Sequence, residues 1–205
     1  MDPPPGGLMT NLLVPVLPLE EICLFPGSSV ALIVDSPAKL KSLELAGRSG
    51  NRLLALARKD ETSGAVRAGD LHAVGTLAAL SENVALRDGR RRVELDGSQR
   101  ARVVTLVGID VFVAEVEPLE EGDPGEEWGG AVEALARYLH SHSELRSFLD
   151  QQRRSADAMS WVNLACQHLP ITATARQRLL EAPAADRCQK IGRGLDALLR
   201  KEQGA

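Results

Sequence analysis

A chain of 205 residues can bury about 70% of its extended surface, so a real core is available, while a formal net charge of −4 argues against bulk affinity for nucleic acid. Aromatic residues make up 3% against a hydrophobic total of 44%, so that core must be built from leucine, valine and alanine. No apolar run approaches the ~20 residues that span a bilayer, and Met1-Asp2-Pro3-Pro4-Pro5-Gly6-Gly7 lacks the basic and apolar regions of a signal peptide, which excludes a membrane role and predicts a soluble, cytoplasmic protein.

Proline and glycine dominate residues 1–11, which read as a disordered tail. Residues 12–19 are extended, and the prolines at 15 and 18 confine them to an edge or first strand. A short apolar strand follows at 30–34. Ser36-Pro37 then forms an N-cap with proline at the first helical position; Leu40, Leu43 and Ala46 share a face and Gly47 is the expected stop. Strand character returns at 53–57, and residues 59–69 form a polar loop. Two apolar runs flank Asp88-Gly89, which predicts a tight hairpin. Asp96-Gly97 is expected to break the chain again before Ala101 and Val103 resume the alternation, giving a three-stranded meander at the centre of a sheet. Residues 111–116 supply a last strand with Phe112, Ala114 and Val116 on one face. Many short strands with one helix usually close into a barrel or pack as two sheets.

The character changes after Pro118. Residues 120–127 are acidic and contain Gly122, Pro124 and Gly125, the composition of an exposed linker. Helical periodicity follows in Val132, Leu135, Ala136 and Leu139, then Leu145, Phe148 and Leu149, then Met159, Val162, Ala165 and Leu169. Pro170 ends that run, Thr172 can cap a helix carrying Leu179 and Leu180, and Pro183 opens a last one with Ile191, Leu195, Leu198 and Leu199. The expected organisation is α+β: a β-rich part over 12–119, a linker over 120–127 and a helical bundle over 128–205.

Several strings in this order resemble the N-terminal, substrate-recognition domain of Lon-type ATP-dependent proteases. They are Val14-Pro15-Val16-Leu17-Pro18-Leu19, Leu24-Phe25-Pro26-Gly27, Asp70-Leu71-His72-Ala73-Val74-Gly75-Thr76 and Val93-Glu94-Leu95-Asp96-Gly97-Ser98-Gln99-Arg100-Ala101-Arg102-Val103. His168-Leu169-Pro170 and Arg178-Leu179-Leu180-Glu181 resemble landmarks of that domain's helical half. The resemblance covers roughly residues 12–200. It departs at Glu20-Glu21, where the family has a basic-acidic pair, and at Lys41-Ser42-Leu43, which keeps the helical character without the usual charges. It implies a PUA-like β pseudobarrel followed by a helical bundle, and a module that engages unfolded or tagged polypeptides, with a Lon-type protease or further copies of itself as partners. The module would stand alone or belong to a longer protease.

Reactive constellations are missing. A phosphate-binding loop needs G-x-x-x-x-G-K-[ST], and no Gly-Lys pair occurs; nothing resembles a serine and lysine peptidase dyad. The expectation is a non-enzymatic protein without cofactor. His140-Ser141-His142 and Cys166-Gln167-His168 place residues two apart on helices, about 200° round, which cannot converge on a metal. Cys23, Cys166 and Cys188, odd in number and widely spaced, read as buried free thiols in a reducing compartment. The pairs Glu20-Glu21, Glu120-Glu121 and Glu126-Glu127 read as solvated charge.

Two binding surfaces remain. Ile22, Leu24, Phe25 and Pro26 form an apolar segment between polar neighbours, outside any alternating strand, and are the candidate residues for polypeptide binding if they are exposed; otherwise they fill the mouth of the barrel. Arg87, Arg90, Arg91 and Arg92, joined by Arg100 and Arg102, could instead contact phosphates and make this an RNA-binding PUA-like module. Against that alternative, the cluster lacks interleaved aromatics for base stacking.

Overall fold

A computed structural model describes residues 12–59, 64–152 and 158–203. The tail expected over 1–11 and part of the 59–69 loop lie outside the described residues. Strands β1 (Leu12–Leu19), β2 (Ser29–Val34), β3 (Arg52–Ala57), β4 (Val74–Ala85), β5 (Arg91–Val107) and β6 (Val113–Pro118) come first, with helix α1 (Pro37–Arg48) after β2. Helices α2 (Glu127–Ser141), α3 (Ser143–Gln152), α4 (Ala158–His168), α5 (Ala173–Glu181) and α6 (Ala184–Gln203) follow.

All six strands belong to one sheet in the order β2-β5-β4-β3-β1-β6, and β6 pairs again with β5. The circuit therefore closes through β5. This strand is long enough to serve three neighbours: Arg91–Asp96 lie against β2, Ala101–Val107 against β6, and β4 runs alongside. The expected break at Asp96-Gly97 is absent. Ser98 is instead the extra residue of a bulge, with Leu77 opposite Gln99 and Ala78 opposite Gly97, so the chain bends without leaving the sheet. Glycine is needed there for close approach, since a Cβ on Gly97 would lie 2.5 Å from the Phe25 carbonyl oxygen. The Asp88-Gly89 hairpin does form. Only Gly89 has positive φ (84°), and bonds from Gly89 N to Leu86 O (3.2 Å) and Leu86 N to Arg90 O (2.8 Å) make it a three-residue loop ending on a left-handed glycine.

Strand β1 is not an edge. It pairs antiparallel with β6 over Leu12–Pro15 and parallel with β3 over Val16–Leu19. Each proline sits in a half with one registered strand neighbour, which lets two residues lacking an N–H occupy an interior strand. Helix α1 continues through Gly47 to Arg48, and its Leu43 and Ala46 pack with Leu17, Leu19, Leu53 and Leu95. Sheet residues on the opposite faces, among them Val16, Leu54, Leu56, Ala114 and Val116, form a separate cluster with Phe112, which immediately precedes β6. Strand β3 contributes to both, which explains why Leu53 to Ala57 are all buried rather than alternating.

A third core lies among the helices. Leu135, Tyr138, Leu149, Val162, Leu180, Ile191 and Leu195 meet there, and α2 packs along α6. The face of α2 is turned slightly from expectation: Ala134 and Tyr138 are buried and Ala136 is exposed. Thr172 caps α5, its hydroxyl accepting from Ala175 N at 3.2 Å.

Candidate functional site

The helical core also contains Cys23 and Phe25 from the segment between β1 and β2. Leu24 turns the other way into the sheet core under α1, and Phe25 is 0% and Leu24 1% exposed. Of the two placements left open for Leu24, Phe25 and Pro26, exposed or filling, all three take the buried one, as a wedge between sheet and helices. The reason is visible in their backbone. Gln167 of α4 accepts from Phe25 N (3.0 Å) and donates to Ser29 O (3.0 Å), Asn163 donates to Pro26 O (3.2 Å), and Thr76 of β4 donates to Leu24 O (2.6 Å). With its amides and carbonyls bonded on both sides, the segment turns its side chains into the two cores. Ile22 alone is half-buried, in a shallow cleft with Leu32, Ile33 and Lys39. Gln177 completes the clasp, donating to Val74 O (2.9 Å) and accepting from the Cys23 thiol (3.3 Å).

A charged network pins the other side of the junction. Arg100 of β5 and Arg187 of α6 are 3% and 0% exposed, and both reach the Glu121 carboxylate, at 2.9 and 3.0 Å. Arg100 also donates to the carbonyls of Leu180 (3.2 Å), Ala182 (3.0 Å) and Glu120 (3.2 Å). Arg187 donates to Leu179 O (2.9 Å), Ala182 O (3.0 Å) and the Asn163 side chain, and stands over the Phe25 ring. The carbonyls of Leu179, Leu180 and Ala182 form the C-terminal end of α5, where the helix dipole favours cations. Burial lowers the Arg100 pKa, and the nearby Glu121 charge opposes that shift. Glu121 is therefore a structural counter-ion rather than solvated charge, and the segment expected to be a free linker is anchored at its start.

Arg100 takes no part in the basic cluster. At the hairpin tip, Arg90 bonds Asp88 (2.7 Å), Arg91 bonds Asn83 (2.7 Å) and Arg92 pairs with Glu82, while Arg102 faces Glu117 at 3.7 Å. The bonds from Arg90 hold the Asp88 carboxyl below its usual pKa. Much of this positive charge is answered locally.

His142, His168 and the three cysteines sit in packed surroundings, whereas His140 is exposed and His72 faces Glu181 at 3.4 Å. His142 stacks on Tyr138 with ring centroids 4.0 Å apart, and His168 meets the Phe148 ring edge-on at 4.8 Å. Burial pushes the Cys23 thiol up to about 11 and the Cys166 thiol to about 12. Among the described residues no three of His, Cys, Asp and Glu gather where a metal could bind.

An open apolar groove of about 370 Å³ runs between α5 and α6. Leu169, Leu179, Ile191 and Leu195 are its buried floor, Ile171, Ala175 and Leu198 its walls, and Arg178 and Lys190 its rim. Sequence periodicity places Ile191, Leu195 and Leu198 on an apolar stripe but does not reveal that α5 leaves part of it uncovered. A larger depression of about 510 Å³ beside α1 is lined by charges of both signs, Glu20, Lys39, Lys41 and Asp110. The groove is the more apolar concavity. Exposed apolar side chains such as Leu13, Ile33 and Val107 lie on strands elsewhere.

The fold is that of two solved domains. The N-terminal domain of Mycobacterium avium complex Lon protease superposes with a TM-score of 0.72 over 91% of this chain and 98% of that one, at 16% identity. A Lon N-terminal domain protein from Xanthomonas campestris gives 0.60 over 92% and 98%, at 22% identity. Among curated proteins, Lon protease of Xanthomonas oryzae pv. oryzae is 31% identical over 187 residues, 82% of this chain and 21% of that one. Lon protease 1 of Thermus thermophilus is 29% identical over 201 residues, 93% and 25%. The chain thus spans a fifth to a quarter of the length of these relatives. These likenesses show the fold of a Lon N-terminal domain. A family model described as the ATP-dependent protease La (LON) substrate-binding domain matches residues 13–196, and the chain belongs to that family.

Proposed function

We propose that this chain is a non-enzymatic polypeptide-binding module that presents unfolded or tagged segments to a Lon-type protease activity, in the cytoplasm. The closed circuit of strands is read as the PUA-like pseudobarrel, α2 to α6 as the C-terminal bundle, and 120–127 as the joint between parts spanning 12–119 and 128–205. One observation carries the functional reading: a solvent-open apolar groove between α5 and α6 in a chain of the substrate-binding family. An unfolded chain offers aliphatic side chains, which a groove floored by four buried leucine and isoleucine side chains removes from water at about 25 cal/mol per Å². Single contacts of this size give modest affinity, which becomes useful when several copies act together. Contact residues are assigned to the groove rather than to the wedge at Leu24, Phe25 and Pro26.

Fluorescence anisotropy tests this with a reduced, carboxymethylated globular protein as permanently unfolded probe, against the same protein in native form. The unfolded probe is expected to bind and the native one not. Failure of the unfolded probe to bind at a domain concentration of about 1 mM would refute the reading.

A further inference from the structure

The α5–α6 groove has a floor and a rim of different chemistry. Among the described residues its charged lining is Arg178, on α5, and Lys190, on α6; both are exposed, and no described carboxylate lines the groove. Neither cation makes an ion pair with a described residue, whereas Arg90, Arg92 and Arg137 elsewhere on the surface are each answered by a carboxylate. Asp186, one turn before Lys190 on α6, does not line the groove. Gly194 stands midway along the α6 wall, in the interior of a 20-residue helix where glycine is a poor helix former. A Cβ built there would meet nothing within 4 Å, so the glycine leaves the middle of the groove unfilled.

We infer that the groove binds a short aliphatic segment flanked by carboxylates, so that the polypeptides engaged by this domain are selected for acidic residues beside apolar ones. The inference rests on the polypeptide-binding reading and adds to it the charge class of the ligand. Size agrees: Lys190, Gly194 and Leu198 follow one another at single turns of α6, about 12 Å in all, the length of two helical turns or three to four extended residues. The volume, at the low end of the roughly 300–1,000 Å³ of ligand sites, holds a few side chains and no folded surface. Two cations at the mouth, unanswered by any described carboxylate, attract carboxylates and repel lysine and arginine, while the floor supplies affinity without regard to order of residues. Solvent-exposed pairs of this kind give a preference of a few-fold to about tenfold, and salt screens them.

The test uses the full chain and three fluorescein-labelled peptides that share one leucine-rich core and carry glutamate, serine or lysine flanks. Anisotropy at low salt should rank them glutamate, serine, lysine, with about five- to tenfold between the extremes, and the ranking should collapse in about 1 M salt. Gly194→Leu, which fills the groove from an open position, should weaken the glutamate-flanked peptide at least tenfold without lowering Tm. The double variant Arg178→Glu, Lys190→Glu should invert the ranking while folding normally. Equal affinity for the three flanks, or binding untouched by Gly194→Leu, overturns the inference. If the unfolded protein probe still binds in that event, only the groove and its charge preference fall; if it too fails to bind, the polypeptide-binding reading falls with them.

Discussion

Replacing Glu121 with glutamine should cost this chain more than its position in an acidic loop suggests. The carboxylate oxygens lie 2.9 Å from Arg100 Nε and 3.0 Å from Arg187 Nη1, and its side chain is 27% exposed against 3% and 0% for the two guanidiniums. Removing one partner from a buried ion pair typically costs 3–5 kcal/mol, because the surviving charge stays buried without its counter-ion. Here two cations would be left facing each other. Both keep carbonyl partners at the end of α5, and Glu121 is partly wet, so the lower figure applies: about 3 kcal/mol. At about 2–4 °C per kcal/mol for a chain of this size, Tm should fall by about 6–12 °C in a calorimetric melt. Glu120→Gln is the control, since the neighbouring side chain is exposed and makes no ion pair with a described residue; it should leave Tm within about 1 °C. Arg100→Met combined with Glu121→Gln should be less destabilising than the sum of the two, because the second change no longer strands a charge in that pair. A shift below about 2 °C for Glu121→Gln, or strict additivity in the cycle, would refute the counter-ion role.

Phe25→Ala removes a ring that is 0% exposed at the junction of sheet and helices, and should lower stability by about 3–5 kcal/mol in denaturant unfolding; a loss below about 1 kcal/mol would mean that the wedge is not packed as described. The three buried thiols should resist iodoacetamide at pH 8 in the native protein, since burial raises Cys23 to about 11 and Cys166 to about 12 and leaves little thiolate, and mass spectrometry should find all three alkylated once the chain is unfolded. Rapid native labelling of Cys166 would contradict its placement.

Much of the local structure is legible in the residues alone, because it depends on near neighbours. The period-two face of Phe112, Ala114 and Val116, the turn at Gly89, proline opening α1 and the Thr172 cap each follow from a few adjacent positions. The acidic balance, the missing phosphate-binding loop and the motifs shared with Lon-type domains likewise belong to the sequence.

Tertiary structure decided what depends on distant partners. Asp96-Gly97 has turn composition, yet it stays in β5 because the Phe25 backbone crosses there and Gly27 and Ser28 bond to Gly97. The segment 22–26 shows apolar character but no facing direction; Asn163 and Gln167, some 140 positions later, supply the bonds that turn it inward. Arg187 carries a faint signal, a charge four residues before Ile191 on the apolar stripe of α6, but nothing local says that Arg100 and Glu121 will meet it. The groove is less legible still, being a gap between two helices whose own periodicities are ordinary. Local propensity and hydrophobic period are short-range properties, while the closing of a buried charge network and the leaving open of a groove are set by how whole elements stack.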